Sequence, residues 1–418
     1  MANYKTVTRM TDTGPYIEKL ILDLGREAGA NDLSPAGFHV HVTRYEKDGT
    51  ILMRKERGAD KALPSLGTVT VRVAYPCDAE GRRLLSGCFA ALELEEERLN
   101  KRIEGSVLAS RYIRNAYRVT QIRDLPPREE GGVALSGLVF DTCTEDLCPA
   151  LEGWTNGENT LRYGAYTPAQ ANGGEKLPLL VWLHGAGEGG DDPLVAYTGN
   201  RVTALSSPEV QTKLGGAAWI LVPQCPTVWM DDGREQLSHV NQSIYVKPLK
   251  ACIDAFVEQH ADSIDRDRIW VAGVSNGGFM TIRMLADYPG FFAAAAPGCE
   301  AFFEENLTDS VLDAVQQTPL WLTHAKGDEL VDPTQTSLPL YRRLKDRGME
   351  NLHMTYWDEV VDPTGRYREA DGRPRSYFRH GVWILMLDDA CRTDLDGSRV
   401  LCDGVPVTLW EWMGKQRR

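Results

Sequence analysis

The stretch RIWVAGVSNGGFM, residues 268–280, decides how most of this chain is read. Ile269 to Val274 is a short continuous apolar run, the pattern of a strand buried on both faces. The residues after Gly278 return to helical spacing. Between the two, Gly273-x-Ser275-x-Gly277 sets one serine in a tight turn, where side chains at the glycine positions would collide with strand and helix. This is the context of a nucleophile elbow, which leaves a serine hydroxyl exposed at the carboxyl edge of a sheet. A serine that only caps the following helix is the plainer reading of the same residue.

Working outward from that turn, five more apolar runs of strand length follow the same grammar: 177–185, 217–224, 291–298, 318–325 and 352–357. Between them lie helical patterns near 243–260, 276–288, 334–347, 380–389 and 406–415. Strands buried on both faces and separated by helices require a mostly parallel sheet covered on both sides, an α/β fold.

A serine hydroxyl is a weak nucleophile without a base, and on such a sheet the order is serine, acid, histidine. Three histidines follow Ser275: His324, His353 and His380. His324 lies in the run LWLTHA, ahead of any acid. His353 takes the polar phase of LHMTYW. His380 closes a charged loop, 358–379, and is the expected base. The acid is expected directly past LWLTHA, where Asp328 follows the flexible Gly327, with Asp332 as second choice. Its task is to hold the imidazole tautomer and stabilise the imidazolium. The run LHGAGEGGDD ends another strand, and Gly185-Ala186-Gly187 can turn backbone N–H groups toward one point. With the N–H of Asn276 they complete an expected oxyanion hole. The same run lacks the lysine of a phosphate loop, and Glu188, Asp191 and Asp192 would repel phosphate.

Residues 15–130 read differently. In FHVHVTRY, Phe38, Val40 and Val42 share one side, and TVTVRVAY repeats the alternation, so strands with one buried face are expected there. Turns at Lys47-Asp48-Gly49 and Asp78–Gly81 separate them, the spacing of a β-sandwich of about 100 residues. The stretch DLPPREEGG, 124–132, is the expected boundary, giving domains 1–130 and 131–418.

The formal charge of −13 argues against nucleic acid and anionic lipid as partners. No apolar run reaches the roughly 18 residues of a membrane helix, and the start lacks a secretion signal, so a cytoplasmic location is expected. The nine cysteines show no zinc spacing and are expected to be free thiols; no cofactor or metal is expected.

The segments PLLVWLHGAGEGGDD, VPQCP with Trp229, GVSNGGFM, HAKGDELVDP and RHGVW resemble α/β-hydrolase esterases and predicted peptidases related to polyhydroxybutyrate depolymerases and prolyl-oligopeptidase-type domains. With GPYIEKLILDL and GFHVHVTRY ahead of them, the chain resembles carboxylesterases that carry an immunoglobulin-like domain before the hydrolase. The resemblance implies Ser275 as nucleophile, Asp328 as acid and His380 as base, with Ala186, Gly187 and Asn276 at the oxyanion positions. It puts Trp229 at a pocket wall, with core packing as the alternative.

The expected activity is hydrolysis of short acyl or aryl carboxylic esters, small molecules, through an acyl-enzyme on Ser275. A serine peptidase on the same machinery is the second reading. A non-catalytic protein binding a glycan or partner is the third. The N-terminal domain is a candidate for homo-oligomer contacts. The loop 358–379 carries five arginines and five acids, and Arg366 or Arg375 is a candidate carboxylate holder, against the plainer reading of a solvated loop.

Overall fold

The computed structural model describes residues 2–55, 60–102, 110–127, 132–234 and 239–418. Residues 128–131 of the expected boundary stretch lie outside them. The chain divides into two compact units, the first comprising Met1–Lys101 and Arg111–Glu152, and the second containing Gly153–Arg418.

The main sheet of the first unit is built from β1 (Ala2–Thr11), β2 (Gly14–Gly29), β3 (Phe38–Tyr45), β4 (Leu66–Val69), β5 (Val71–Cys77), β6 (Ser86–Arg98), β7 (Arg114–Gln121) and β8 (Val139–Leu147). They form one sheet in the order β4-β3-β7-β8-β1-β2-β6-β5. Period-two alternation is plain in β3, where Phe38, Val40 and Val42 are buried. One core gathers Val69 and Val40 from one end of that order with Leu22 and Leu92 from the other. The sheet therefore bends over itself, and its two halves share an interior as a sandwich does.

Strand β8 falls past residue 130. It pairs parallel with β1 and antiparallel with β7, and Asp146 accepts hydrogen bonds from the hydroxyls of Thr6 and Thr8. Only Phe140 of β8 is buried, so the strand carries no alternation for sequence reading to find.

The second unit is built on β9 (Trp154–Glu158), β10 (Arg162–Tyr166), β11 (Leu177–Leu183), β12 (Trp219–Pro223), β13 (Ile264–Val274), β14 (Ala294–Gly298), β15 (Leu320–Ala325) and β16 (Leu352–Trp357). Their order is β9-β10-β12-β11-β13-β14-β15-β16. The last six pair in parallel, while β9 and β10 add an antiparallel edge. All the expected parallel runs are present, and the edge pair was not anticipated because its burial is patchy. Helices Val246–Gln259, Asn276–Asp287, Ser337–Asp346, Trp383–Leu387 and Leu409–Gly414 stand where helical patterns were expected. Short helices at Pro193–Thr198, Pro208–Lys213 and Asp309–Val315 were not. Among the described residues no helix is long and apolar enough to cross a membrane.

Candidate active site

The parallel strands share one carboxyl edge, and the expected site residues follow several of them: Ser275 and Asn276 follow β13, Asp328 follows β15, Ala186 and Gly187 follow β11, Trp229 follows β12, and His380 ends the loop after β16. Ser275 follows β13 at φ 55 and ψ −117, a conformation that side-chain-bearing residues rarely adopt. Its N–H donates to Gly298 O of β14 at 2.9 Å, and the residue is half-buried. The glycines explain why the turn closes. A Cβ at Gly277 would stand 2.0 Å from Leu183 O, and one at Gly273 would stand 2.5 Å from Gly277 O. A third, Gly278, has the backbone of Glu300 where its Cβ would be, at 2.8 Å.

Asp328 and His380 meet. His380 Nδ1 and Asp328 Oδ2 are 2.7 Å apart, across 52 residues of chain, and both side chains are buried. Asp328 Oδ1 accepts the backbone N–H groups of Leu330 and Val331 at 2.8 and 3.0 Å. Burial alone would disfavour its charge, but hydrogen bonds from His324 and His380 outweigh that and hold the carboxyl well below the usual carboxylate range. Burial likewise opposes charge on His380, yet Cys299 and Asp328 push the imidazole above its ordinary value. Asp332, the second choice for the acid, is exposed and turns its carboxylate to Thr334 and Gln335. His353 is bonded to Asp394 at 3.0 Å.

Among the described residues, no hydrogen bond joins Ser275 Oγ to His380. Cys299, which no sequence pattern singled out, stands next to the imidazole: its Sγ, a carboxylate oxygen of Asp328 and a ring nitrogen of His380 lie within 4.8 Å of one another. Cys299 is fully buried, has φ 37 and follows Gly298, the residue that receives the Ser275 N–H. The serine turn and the histidine are therefore linked through the end of β14. The sulfur, nitrogen and oxygen of this cluster are types that a metal accepts. Two of them are already committed to each other at 2.7 Å, which fits an acid–base pair better than a ligand set.

The expected oxyanion residues lie on two elements. Asn276 opens the helix Asn276–Asp287, whose first-turn amides have no partner within the helix. Ala186 and Gly187 are half-buried in a short turn after β11, and the ideal Cβ position of Gly185 is 3.9 Å from Ser275 Cβ. That turn is braced from behind. His184 Nε2 accepts from the Cys225 N–H at 3.0 Å, and its Nδ1–H donates to Gly185 O at 2.7 Å. Burial pushes the His184 imidazole down to about 4 despite the Gly185 carbonyl, so it stays neutral. Gln224 Nε2 donates to Glu188 O at 2.6 Å.

Trp229 is fully buried rather than an exposed wall. Its indole N–H donates to His184 O at 3.1 Å and its backbone N–H to Asn276 Oδ1 at 2.5 Å, so it ties the two oxyanion elements together. The loop 358–379 is a folded excursion with bridges Val361–Ser376 and Arg368–Pro374. The buried Asp362 anchors it by accepting from Thr364 and Tyr367. Arg366 and Arg375 are exposed, and the Arg375 guanidinium lies over the Tyr377 ring at 5.8 Å.

Comparison with known proteins bears on both units. Residues 3–130 match the esterase Ig-like N-terminal domain, and residues 229–304, which include the serine turn, match the prolyl oligopeptidase family. An uncharacterized secreted protein of Arthroderma benhamiae is 31% identical over 218 residues, 48% of this chain and 22% of that protein, so the chain spans about a fifth of its length. Acyl-protein thioesterase 1 of Eremothecium gossypii is 24% identical over 182 residues, 41% of this chain and 68% of that protein. A solved thermostable esterase superposes over 100% of both chains with a TM-score of 0.72 at 21% identity, which fixes the fold from end to end. The chain thus has an α/β-hydrolase fold, and its residues 3–130 match an esterase-type immunoglobulin-like domain.

Proposed function

We propose that this chain is a serine carboxylesterase, cleaving short acyl or aryl esters through an acyl-enzyme on Ser275. The observation that carries the reading is the 2.7 Å bond between His380 Nδ1 and Asp328 Oδ2; the serine turn, at φ 55, is bonded to Gly298, whose neighbour Cys299 lies near that imidazole. With Nδ1–H directed to the acid, Nε2 is the free basic nitrogen. It takes the Ser275 proton as Oγ attacks the carbonyl carbon, then passes that proton to the leaving alcohol. Water repeats the sequence on the acyl-enzyme and releases the acid. Amides of Asn276 and of the 185–187 turn hold the oxyanion. Catalytic hydrogen bonds absent from a free enzyme commonly form in the substrate complex, and closing Ser275 onto His380 belongs to that step.

A serine peptidase is the second reading, favoured by the prolyl-oligopeptidase match across the serine turn. Turnover of a short p-nitrophenyl ester against an aminoacyl anilide, in wild type and Ser275→Ala, separates the two. Ester turnover lost with Ser275 supports the esterase. Faster anilide turnover replaces it with the peptidase, and turnover unaffected by the substitution ends both. A cytoplasmic location belongs to this reading and is checked by cell fractionation, since the Arthroderma benhamiae relative is a secreted protein.

A further inference from the structure

The expected base sits in a turn that carries its own aromatic neighbour. Phe378 O accepts the Gly381 N–H at 2.9 Å, so residues 378–381 close a tight turn with His380 at its third position. Gly381 has no side chain, and the Phe378 ring lies against it: a Cβ there would stand 3.4 Å from Phe378 Cε1. The centroids of the Phe378 ring and the His380 imidazole are 6.4 Å apart. Trp383, the first residue of the helix Trp383–Leu387, meets Phe378 edge-on at 5.5 Å and His380 edge-on at 6.0 Å. The three rings pack at the spacing of aromatic pairs, and the turn fixes Phe378 relative to the base.

Only one member of this cluster is open to solvent. Trp383 is 8% exposed and His380 4%, whereas Phe378 leaves 47% of its surface uncovered. Elsewhere around the imidazole, Asp328 is bonded to Nδ1 and the fully buried Cys299 stands close by.

Proton transfer decides what must come next to this surface. In the acyl-enzyme sequence Nε2 gives its proton to the leaving alcohol, whose oxygen must lie within hydrogen-bond reach of that nitrogen. The carbon skeleton of the alcohol therefore begins beside the imidazole, while the acyl group begins at Ser275. Of the two rings that meet the imidazole among the described residues, Phe378 is the one with open apolar surface. A cavity of about 610 Å³ also opens nearby, lined by Lys326, Gly327, Asp358, Glu359 and Arg379. An apolar group there would strip water from charges of both signs, which disfavours it.

We propose that Phe378 is a specificity-determining residue: its ring is the apolar wall of the subsite for the alcohol half of the ester, and it selects an aryl or arylmethyl group there. The proposal rests on the esterase reading and narrows it, because it puts the substrate's ring on the leaving alcohol and not on the acid.

Two isomeric esters test it, benzyl propanoate with the ring on the alcohol and ethyl phenylacetate with the ring on the acid. Each is assayed as kcat/KM, by acid release, on wild type, Phe378→Ala and Phe378→Tyr. Comparing each variant with wild type on the same ester cancels the ester's own reactivity. Phe378→Ala is expected to lose about tenfold on benzyl propanoate and less than about twofold on ethyl phenylacetate, the scale of one aromatic contact, with Phe378→Tyr restoring the first. An equal change on both esters in the folded variant, or a loss confined to ethyl phenylacetate, overturns the proposal. If wild type shows no Ser275-dependent turnover of any ester, the esterase reading fails, and benzyl alcohol binding, followed by the aromatic proton signals of the protein, decides the subsite. Saturable binding that weakens about tenfold in Phe378→Ala supports it. No saturable binding, or equal binding to both proteins, overturns it.

Discussion

Trp229 donates its backbone N–H to Asn276 Oδ1 at 2.5 Å, so the residue after Ser275 is held by its side chain while its main-chain N–H is left for the proposed oxyanion hole. Asn276→Ala removes the acceptor and leaves a buried N–H unpaired, which costs about 1–3 kcal/mol of stability. The amide stays, so kcat is expected to fall less than tenfold. Removing a true oxyanion donor costs about 10²–10³ in kcat, and a loss of that size would put the Asn276 side chain itself in the hole.

Ser275→Gly tests the strain at φ 55. Glycine reaches this conformation freely, and strained backbone costs on the order of 1–3 kcal/mol. Partly offset by glycine's larger unfolded-state entropy, the variant should gain about 1 kcal/mol by denaturant melting. Ester turnover should fall by roughly 10⁴ or more.

Gly277→Ala places a methyl 2.0 Å from the Leu183 carbonyl oxygen, where backbone stands on both sides. A loss of about 3 kcal/mol or more is expected. Gly67→Ala is the control, since a Cβ there meets nothing within 4 Å. Equal melting of the two variants would show that the turn opens easily.

Cys299→Ala bears on the base. Burial opposes charge on the His380 imidazole, whereas its neighbours Cys299 and Asp328 both favour it. A base works only when neutral, so a raised value delays activity to higher pH. Removing the thiol should move the acid limb of kcat/KM to lower pH; an unmoved limb would mean that Cys299 merely fills space.

Glu300→Gln has a stability signature. Burial raises the Glu300 carboxyl from 4.5 to about 8. A group raised on folding stabilises the folded state fully below its unfolded value, and that contribution disappears as pH climbs from about 4.5 to about 8. Glutamine never ionises. The variant should therefore melt above wild type at about pH 9, by an amount on the order of a few kcal/mol, with the gap closing toward about pH 5.

The elbow could be read from sequence because its cause is local: glycines two residues either side of Ser275, between an apolar run and a helical one. Asp328 and His380 were reached from chain order and from the loops that carry them. His324 shows where such reasoning stops. Chain order excluded it as the base, yet it bonds the same Asp328 oxygen as His380 does, a relationship set by how β15 and the helix Ser337–Asp346 pack. Cys299 and Glu300 sit in PGCEAFF, which reads as an ordinary strand end. Their proximity to His380 and Ser337 arises only when three strand ends are brought together. For Trp229 the resemblance offered a pocket wall and core packing offered the alternative; its full burial and its two hydrogen bonds fit the second.

Strand β8 has a practical consequence for anyone dividing this chain. It fills the space between β1 and β7, so a fragment stopping at residue 130 would leave both with bare hydrogen-bonding edges in the middle of the sheet. Such a piece would recruit a neighbour's strand and come off a sizing column as exchanged dimers or aggregate. Carrying the cut to residue 152 keeps the seam closed.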